Sequence, residues 1–186
     1  MRKTAFLYSP LLSQHVLSDA HPMRPIRLQY TYDLLNSYDI FDETSVKLVR
    51  PRSASAEELS LIHSQDYISA VESLSSKTAE FGAARYGFSA AGDNPIYQGM
   101  YEAAALSTGA SLLAAELINS RSVDIAFNIS GGLHHAMRSS ASGFCIFNDP
   151  AIAIKYLLDQ GKKVAYIDVD AHHGDGVQQA FYNNNN

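Results

Sequence analysis

Two stretches of the sequence concentrate the residue types that hydrolysis and metal binding need. The first is Asp168-Val169-Asp170-Ala171-His172-His173-Gly174-Asp175-Gly176, which follows the apolar run Val164-Ala165-Tyr166-Ile167. In an extended chain alternate side chains share a face, so Asp168, Asp170 and His172 point together while Val169 and Ala171 point into packing. Two carboxylates and an imidazole brought together away from water are costly unless a cation joins them. Oxygen and nitrogen donors of this kind suit Zn2+ or another divalent first-row metal. The plainer alternative is an Asp-rich loop that caps the next helix, with Asp175 as N-cap. The second stretch is Ile129-Ser130-Gly131-Gly132-Leu133-His134-His135-Ala136. Its two glycines permit a sharp exit from a strand, and histidine is the usual general acid or base near neutral pH. A lone histidine is more often structural; two adjacent ones after Gly-Gly suit a site. A third stretch, Gly143-Phe144-Cys145-Ile146-Phe147-Asn148-Asp149, reads by itself as an apolar strand with a polar stop, and Phe144 and Cys145 as core residues.

These segments need elements to hold them. The pattern alternates strands and helices, without internal repeats or linkers. Lys3 to Tyr8 reads as a strand, Pro25 to Leu35 as a helix and Ser45 to Val49 as a short strand. Ser55-Ala56-Glu57-Glu58 is a helix start with a capping box, and another helix runs from about Asp66 to Leu74. Phe81 to Asp93 has no clear period and is expected to be an irregular surface loop. A long helix spans roughly Tyr97 to Asn119, its many Ala and Gly residues implying close packing. Val123 to Ile129 is continuous enough in apolar residues to predict a strand buried on both faces. Pro150 to Leu158 is helical, with Gln160-Gly161 as its cap, and Val164 to Ile167 starts another buried strand. This order predicts an α/β fold: a mostly parallel sheet with right-handed crossovers and helices on its faces. Sites in such sheets form beyond the carboxyl ends of strands, where both polar stretches fall.

Composition narrows the field. The 186 residues carry 14 basic and 19 acidic side chains, a formal charge of −5. That argues against direct nucleic-acid binding, which relies on clustered Lys and Arg. An acidic rim would admit a cationic substrate such as a lysine-containing peptide or a polyamine. The single cysteine, Cys145, allows no intrachain disulfide and fits a reducing compartment. No apolar run approaches the ~20 residues of a membrane span, so no membrane association and a cytoplasmic location are expected.

Gly-Gly-Leu-His-His-Ala, Gly-Phe-Cys-x-x-Asn-Asp and Ile-Asp-x-Asp-x-His-His-Gly-Asp-Gly, in this order and spacing, resemble the histone deacetylase family, which includes bacterial acetoin-utilisation proteins and polyamine deacetylases. His21-Pro22-Met23-Arg24-Pro25-Ile26-Arg27, His63-Ser64-Gln65-Asp66-Tyr67-Ile68 and Gly92-Asp93-Asn94-Pro95 resemble further segments of that family. The resemblance implies the three-layer arginase/deacetylase-like fold and zinc-dependent hydrolysis of acetyl-lysine amides. It makes Asp170 and His172 two of three zinc ligands. His134 and His135 become the tandem catalytic histidines, with His135 as general base, and Asp168 and Asp175 the carboxylates that orient them. Asp168, with backbone carbonyls near Asp170 and His172, would sit at a monovalent-cation site suited to K+. Gly143 and Phe144 would line the acyl-lysine tunnel, Asp93 would grip substrate at its mouth, and Arg27 would lie deeper, near an internal cavity. The implied partners are an acetylated lysine peptide or protein, or an acetylated polyamine.

The family pattern continues beyond these motifs, with an aspartate as third zinc ligand and a tyrosine that serves the oxyanion. Neither follows Gln178-Gln179-Ala180-Phe181-Tyr182. Residues 1–182 are therefore expected to be the N-terminal portion of one deacetylase domain, truncated after its first metal-ligand strand. By itself the chain should bind zinc poorly, turn over little substrate and expose a raw sheet edge. Asn183 to Asn186 is read as a disordered tail or end artefact. Three alternatives accompany this reading: deacetylation of small acetylated amines, a non-catalytic binding module of the same fold, and an arginase-type two-metal hydrolase, against which the Gly-Phe-Cys segment speaks.

Overall fold

The structure, a computed structural model, describes residues 2–14, 17, 21–76, 82–90 and 92–183. Its sheet is parallel throughout. β1 (Thr4–Leu7) lies between β2 (Val46–Val49) and β3 (Ile125–Asn128), with Thr4 opposite both Val46 and Ile125. Alternation along β1 divides two layers. Ala5 and Leu7 pack with Ala110 and Val123 beside α4 (Met100–Asn119). Phe6 and Tyr8 pack with Leu28 of α1 (Ile26–Ser37) and with Leu12. Helices thus cover both faces of the sheet, as the sequence pattern predicts.

The capping box at Ser55 forms in both directions. Ser55 Oγ accepts from Glu58 N, and Glu58 Oε2 accepts from Ser55 N at 2.8 Å, opening the short α2 (Ala56–Leu59). Arg52 then bridges Glu58 at 2.7 Å and Glu116 of α4 at 2.5 Å. Beside this bridge Gly109 lets α4 approach the backbone; a Cβ there would stand 1.9 Å from the Arg52 carbonyl oxygen. α3 (Gln65–Ser76), α4 and α5 (Asp149–Asp159) enclose the largest apolar cluster, around Tyr67, Phe147 and Ile152. α6 (Asp175–Phe181) closes the chain's last described turn of structure.

Three expectations need correction. Val164 to Ile167 joins no ladder among the described residues, and Ile167 and Val169 are 81 % and 93 % exposed. Apolar composition favours a strand only where a neighbour supplies hydrogen bonds, and none of the described residues does so here. The strand near Val123 exists but is not buried on both faces. β3 is an edge strand, with Ile125 and Phe127 half-exposed on one side and Ala126 against α4 on the other. Finally, the segment expected to be an irregular surface loop is partly anchored: Ala83–Tyr86 forms a 3-10 turn between left-handed Gly82 and Gly87, and Ala83 and Phe88 enter the core. Phe81 and Ala91 of that segment, and Asn184 to Asn186 of the expected tail, lie outside the described residues. Among the described residues no helix is long and apolar enough to cross a membrane.

Candidate active site

The chain leaves β3 at Asn128 and turns at Gly131 and Gly132, where φ reaches +86° at Gly132. It then presents two imidazoles with their ring centroids 4.2 Å apart. Each has its own carboxylate. His134 Nδ1 lies 2.7 Å from Asp168 Oδ2, and His135 Nδ1 lies 2.7 Å from Asp175 Oδ1. A carboxylate only accepts, so each Nδ1–H donates and the proton-free nitrogen of the neutral ring is Nε2. Asp168 also accepts from Tyr166 Oη at 2.6 Å and from Asp170 N at 3.0 Å. The Tyr166 hydroxyl, then His134, hold the Asp168 carboxyl down at about 2, so it stays ionised. Burial, then Asp168, push the Tyr166 hydroxyl above its ordinary value, so it remains a donor. Asp175 stands at the first position of α6 rather than as its N-cap, which is Gly174, and its Oδ1 also accepts from Gly176 N. The N-cap reading of Asp175 is thus corrected: Gly174 holds the cap position, and the Asp175 side chain meets His135 from the first turn of α6.

A cavity of about 680 Å³ opens between these groups and the rest of the predicted site. His134, His135, Gly143, Phe144, Asp170 and His172 line it, and Asp93 and Arg27 border it as well. Asp168 stands behind His134 rather than on this wall. His172 and His173 are both exposed, but His172 lies with its ring 6.0 Å from His135, whereas His173 turns to Gln178. Arg27 also lines a smaller pocket of about 70 Å³, but it is exposed rather than deep.

Asp170 and His172 are the pair that could hold a metal. Asp170 Oδ1 and His172 Nδ1 are 2.9 Å apart, and the His172 backbone N–H and ring keep the Asp170 carboxyl below its ordinary range. One hard oxygen and one borderline nitrogen side by side fit Zn2+ chemically. Catalytic zinc sites use three protein ligands, and among the described residues no three His, Cys, Asp or Glu side chains gather to hold an ion. The donor set fits zinc and is one ligand short.

Glycines set how closely these parts meet. A Cβ on Gly143 would fall 2.4 Å from His135 Cδ2, and one on Gly174 would fall 2.4 Å from Asp168 Oδ2. Phe144 adopts φ +71°, uncommon for a bulky residue. It is held there by Asn94, whose Oδ1 accepts from Phe144 N at 3.0 Å while its Nδ2 donates to Cys145 O. His21 Nε2 lies 3.1 Å from the Asp93 carbonyl oxygen, and its ring meets Phe144 edge-on at 4.7 Å. Cys145 is core, as expected, and burial pushes its thiol up to about 12, where it is inert.

Sequence reasoning assigns no role to four buried supports. His63, 1 % exposed, has Nδ1 3.0 Å from Met137 O and accepts from Asn148 N through Nε2 at 2.9 Å. Burial lowers its pKa to about 4, in keeping with a neutral ring that donates at one nitrogen and accepts at the other. Asn148 caps α5 by accepting from Ala151 N, and its Nδ2 donates to the carbonyls of His134 and Ala136. Asp149 accepts from Gly132 N, Leu133 N and Ser111 Oγ. Asn94 is the fourth. An Asn-Asp-Pro helix start could have flagged Asn148 as a cap, but its second task depends on a partner 14 residues away.

The family model described as histone deacetylase domain matches residues 21–186. The acetoin utilization protein AcuC of Bacillus subtilis is 46 % identical over 187 residues, covering 99 % of this chain and 47 % of that protein. Human histone deacetylase 1 is 40 % identical over 182 residues, covering 97 % of this chain and 37 % of its own length. Among solved structures, an HDAC homolog complexed with SAHA superposes with a TM-score of 0.85 at 35 % identity, covering 97 % of this chain and 48 % of that one. The chain spans about half the length, or less, of the relatives it matches. The family model covers most of the chain and the fold corresponds to that of its solved relatives, and the chain belongs to the histone deacetylase domain family.

Proposed function

We propose that this chain supplies the general-base half of an active site that hydrolyses the amide of an acetylated lysine side chain or a related acylated amine. One observation carries the reading: two adjacent imidazoles, each tethered at Nδ1 to a carboxylate 2.7 Å away, border a cavity that also holds Asp170 and His172. The Asp175 carboxylate makes Nε2 of His135 a better base, so that His135 takes a proton from attacking water. His134, paired with Asp168, is the second ring of the relay and donates toward the departing amine when protonated. Gly143 and Phe144 narrow the cavity beside these rings, and Asp93 offers a carboxylate at its border. Asp170 and His172 would hold the zinc with one further protein ligand, and the bound ion would polarise the acyl carbonyl and acidify water. Two ligands make weak zinc retention by these 186 residues the expected behaviour, with turnover requiring a polypeptide that adds the third. The same polypeptide would bring a hydroxyl donor for the oxyanion. A structural relative, an HDAC homolog, is solved in complex with SAHA, which supports a ligand-binding role for this fold.

The reading is tested with an acetyl-lysine peptide and added Zn2+, using the 186-residue chain and a protein extended to the full length of its relatives. The extended protein should release acetate, and His135→Ala should lower kcat by about 10²- to 10⁴-fold, the usual contribution of a general base. An extended protein that releases no acetate, or a His135→Ala variant as fast as wild type, would refute it.

A further inference from the structure

Asp149 is a carboxylate that the chemistry above does not use, yet it is 1 % exposed. Ser111 Oγ donates to its Oδ2 at 2.5 Å, Gly132 N to Oδ2 at 3.1 Å and Leu133 N to Oδ1 at 2.8 Å. All three donors are neutral. Two of them are consecutive backbone amides of the turn that ends in His134. We propose that Asp149 is a positioning residue: the turn at Gly131 to Leu133 is wound around its buried carboxylate, and that anchor sets where His134 and His135 stand.

The shape of the turn follows the anchor. A Cβ on Gly131 would lie 2.4 Å from Asp149 Oδ2 and 2.8 Å from Ser111 Oγ, so only glycine lets the backbone pass this close. Gly132 takes φ +86°, which turns its amide and that of Leu133 toward the carboxylate. Behind the turn, Asn128 Oδ1 accepts from Ser130 N while its Nδ2 donates to Ser111 Oγ, so the anchor joins a polar seam between α4 and β3. The neighbouring residue, Asn148, grips the carbonyls of His134 and Ala136. The tandem histidines are therefore held from both sides by two consecutive residues at the start of α5. An acid at the first turn of a helix is favoured by the helix dipole alone. That would leave it exposed, whereas the bonds from Ser111, Gly132 and Leu133 reach other elements. Two amides and a hydroxyl converging on one group need a pure acceptor. An asparagine would offer one oxygen and turn its own N–H2 against an amide N–H.

The kinetic consequence rests on the proposed deacylase reading; the placement itself does not. The test compares Asp149→Asn with Ser111→Ala, which removes one donor and leaves the carboxylate on both amides. The imidazole signals of His134 and His135 are followed by NMR in histidine-labelled protein, and acetyl-lysine peptide turnover is measured in the extended, zinc-loaded protein. Asp149→Asn should move both pairs of imidazole signals and lower kcat at least tenfold with KM within twofold. Ser111→Ala should leave the signals near wild type and kcat within threefold. A folded Asp149→Asn with wild-type imidazole signals overturns the proposal. If the wild type turns over no peptide, the deacylase reading fails and the imidazole signals alone decide this one. If Asp149→Asn does not fold, amide exchange in the wild type decides: Gly132 and Leu133 amides as slow as those of β1 support the anchor, and fast exchange overturns it.

Discussion

At the scale of single residues, the site is shaped as much by missing side chains as by present ones. Gly143 combines φ +49° with a neighbouring imidazole 2.4 Å from where a Cβ would stand. Gly143→Ala should therefore displace His135 and cost roughly tenfold in turnover, about 1.4 kcal/mol of barrier, measured as kcat in the extended protein. Asp149 gives a prediction in the opposite direction. Burial, opposed by its hydrogen bonds, raises its carboxyl from the ordinary value of 3.8 to about 6. The folded protein then binds a proton that the unfolded chain has released, so this group's contribution to stability falls as pH rises from about 4 to about 6. A rise of that size corresponds to about 3 kcal/mol. Chemical denaturation of wild type and Asp149→Asn at pH 4 and pH 7 checks it; the comparison should move in the variant's favour at the higher pH. The residues proposed to carry the chemistry are legible because types and spacing announce them: Asp168, Asp170, His172, His134 and His135. His63, Asn148 and Asp149 are not, because their partners sit far away in sequence, 85 residues for His63 and Asn148, and no local pattern encodes such a bond.

At the scale of elements, reading the sequence succeeds where an element is decided locally. The capping box at Ser55 and the long small-residue helix α4 both depend on neighbours in the chain. It fails at Val164 to Ile167 and on the outer face of β3, where apolar composition does not translate into burial. Whether such a segment is covered depends on what lies beside it, which composition does not record. The tightness of α4 is readable in kind, from its Ala and Gly content, but not in place. Gly109 is where the helix meets the Arg52 carbonyl, and Gly109→Ala would force α4 away from that strand exit. The expected cost is about 1–3 kcal/mol. Thermal denaturation should show a lower Tm; an unchanged Tm would mean that α4 can slide without loss.

At the scale of the whole molecule, several large apolar side chains stand open to solvent among the described residues. Ile125, Phe127, Tyr166, Ile167 and Val169 are all exposed together with an edge strand. Edges and apolar patches of this kind pair with other chains. The 186-residue chain is therefore expected to bind a hydrophobic dye and to self-associate over a tenfold range of concentration, which sedimentation velocity would report. A stable monomer that binds no dye would count against it.

The placement of β1 at the middle of the sheet carries a consequence in time. β1 precedes both of its partners in the chain: it bonds on one side to residues near 46 and on the other to residues near 125, and Lys3 reaches Asp124 across 121 positions. Pairings that span such distances form slowly, because much chain must be closed before any bond rewards it. During synthesis β1 emerges long before both of its neighbours exist. A removal of residues 4–7 would thus take away the seed on which both later strands assemble, rather than fraying one end.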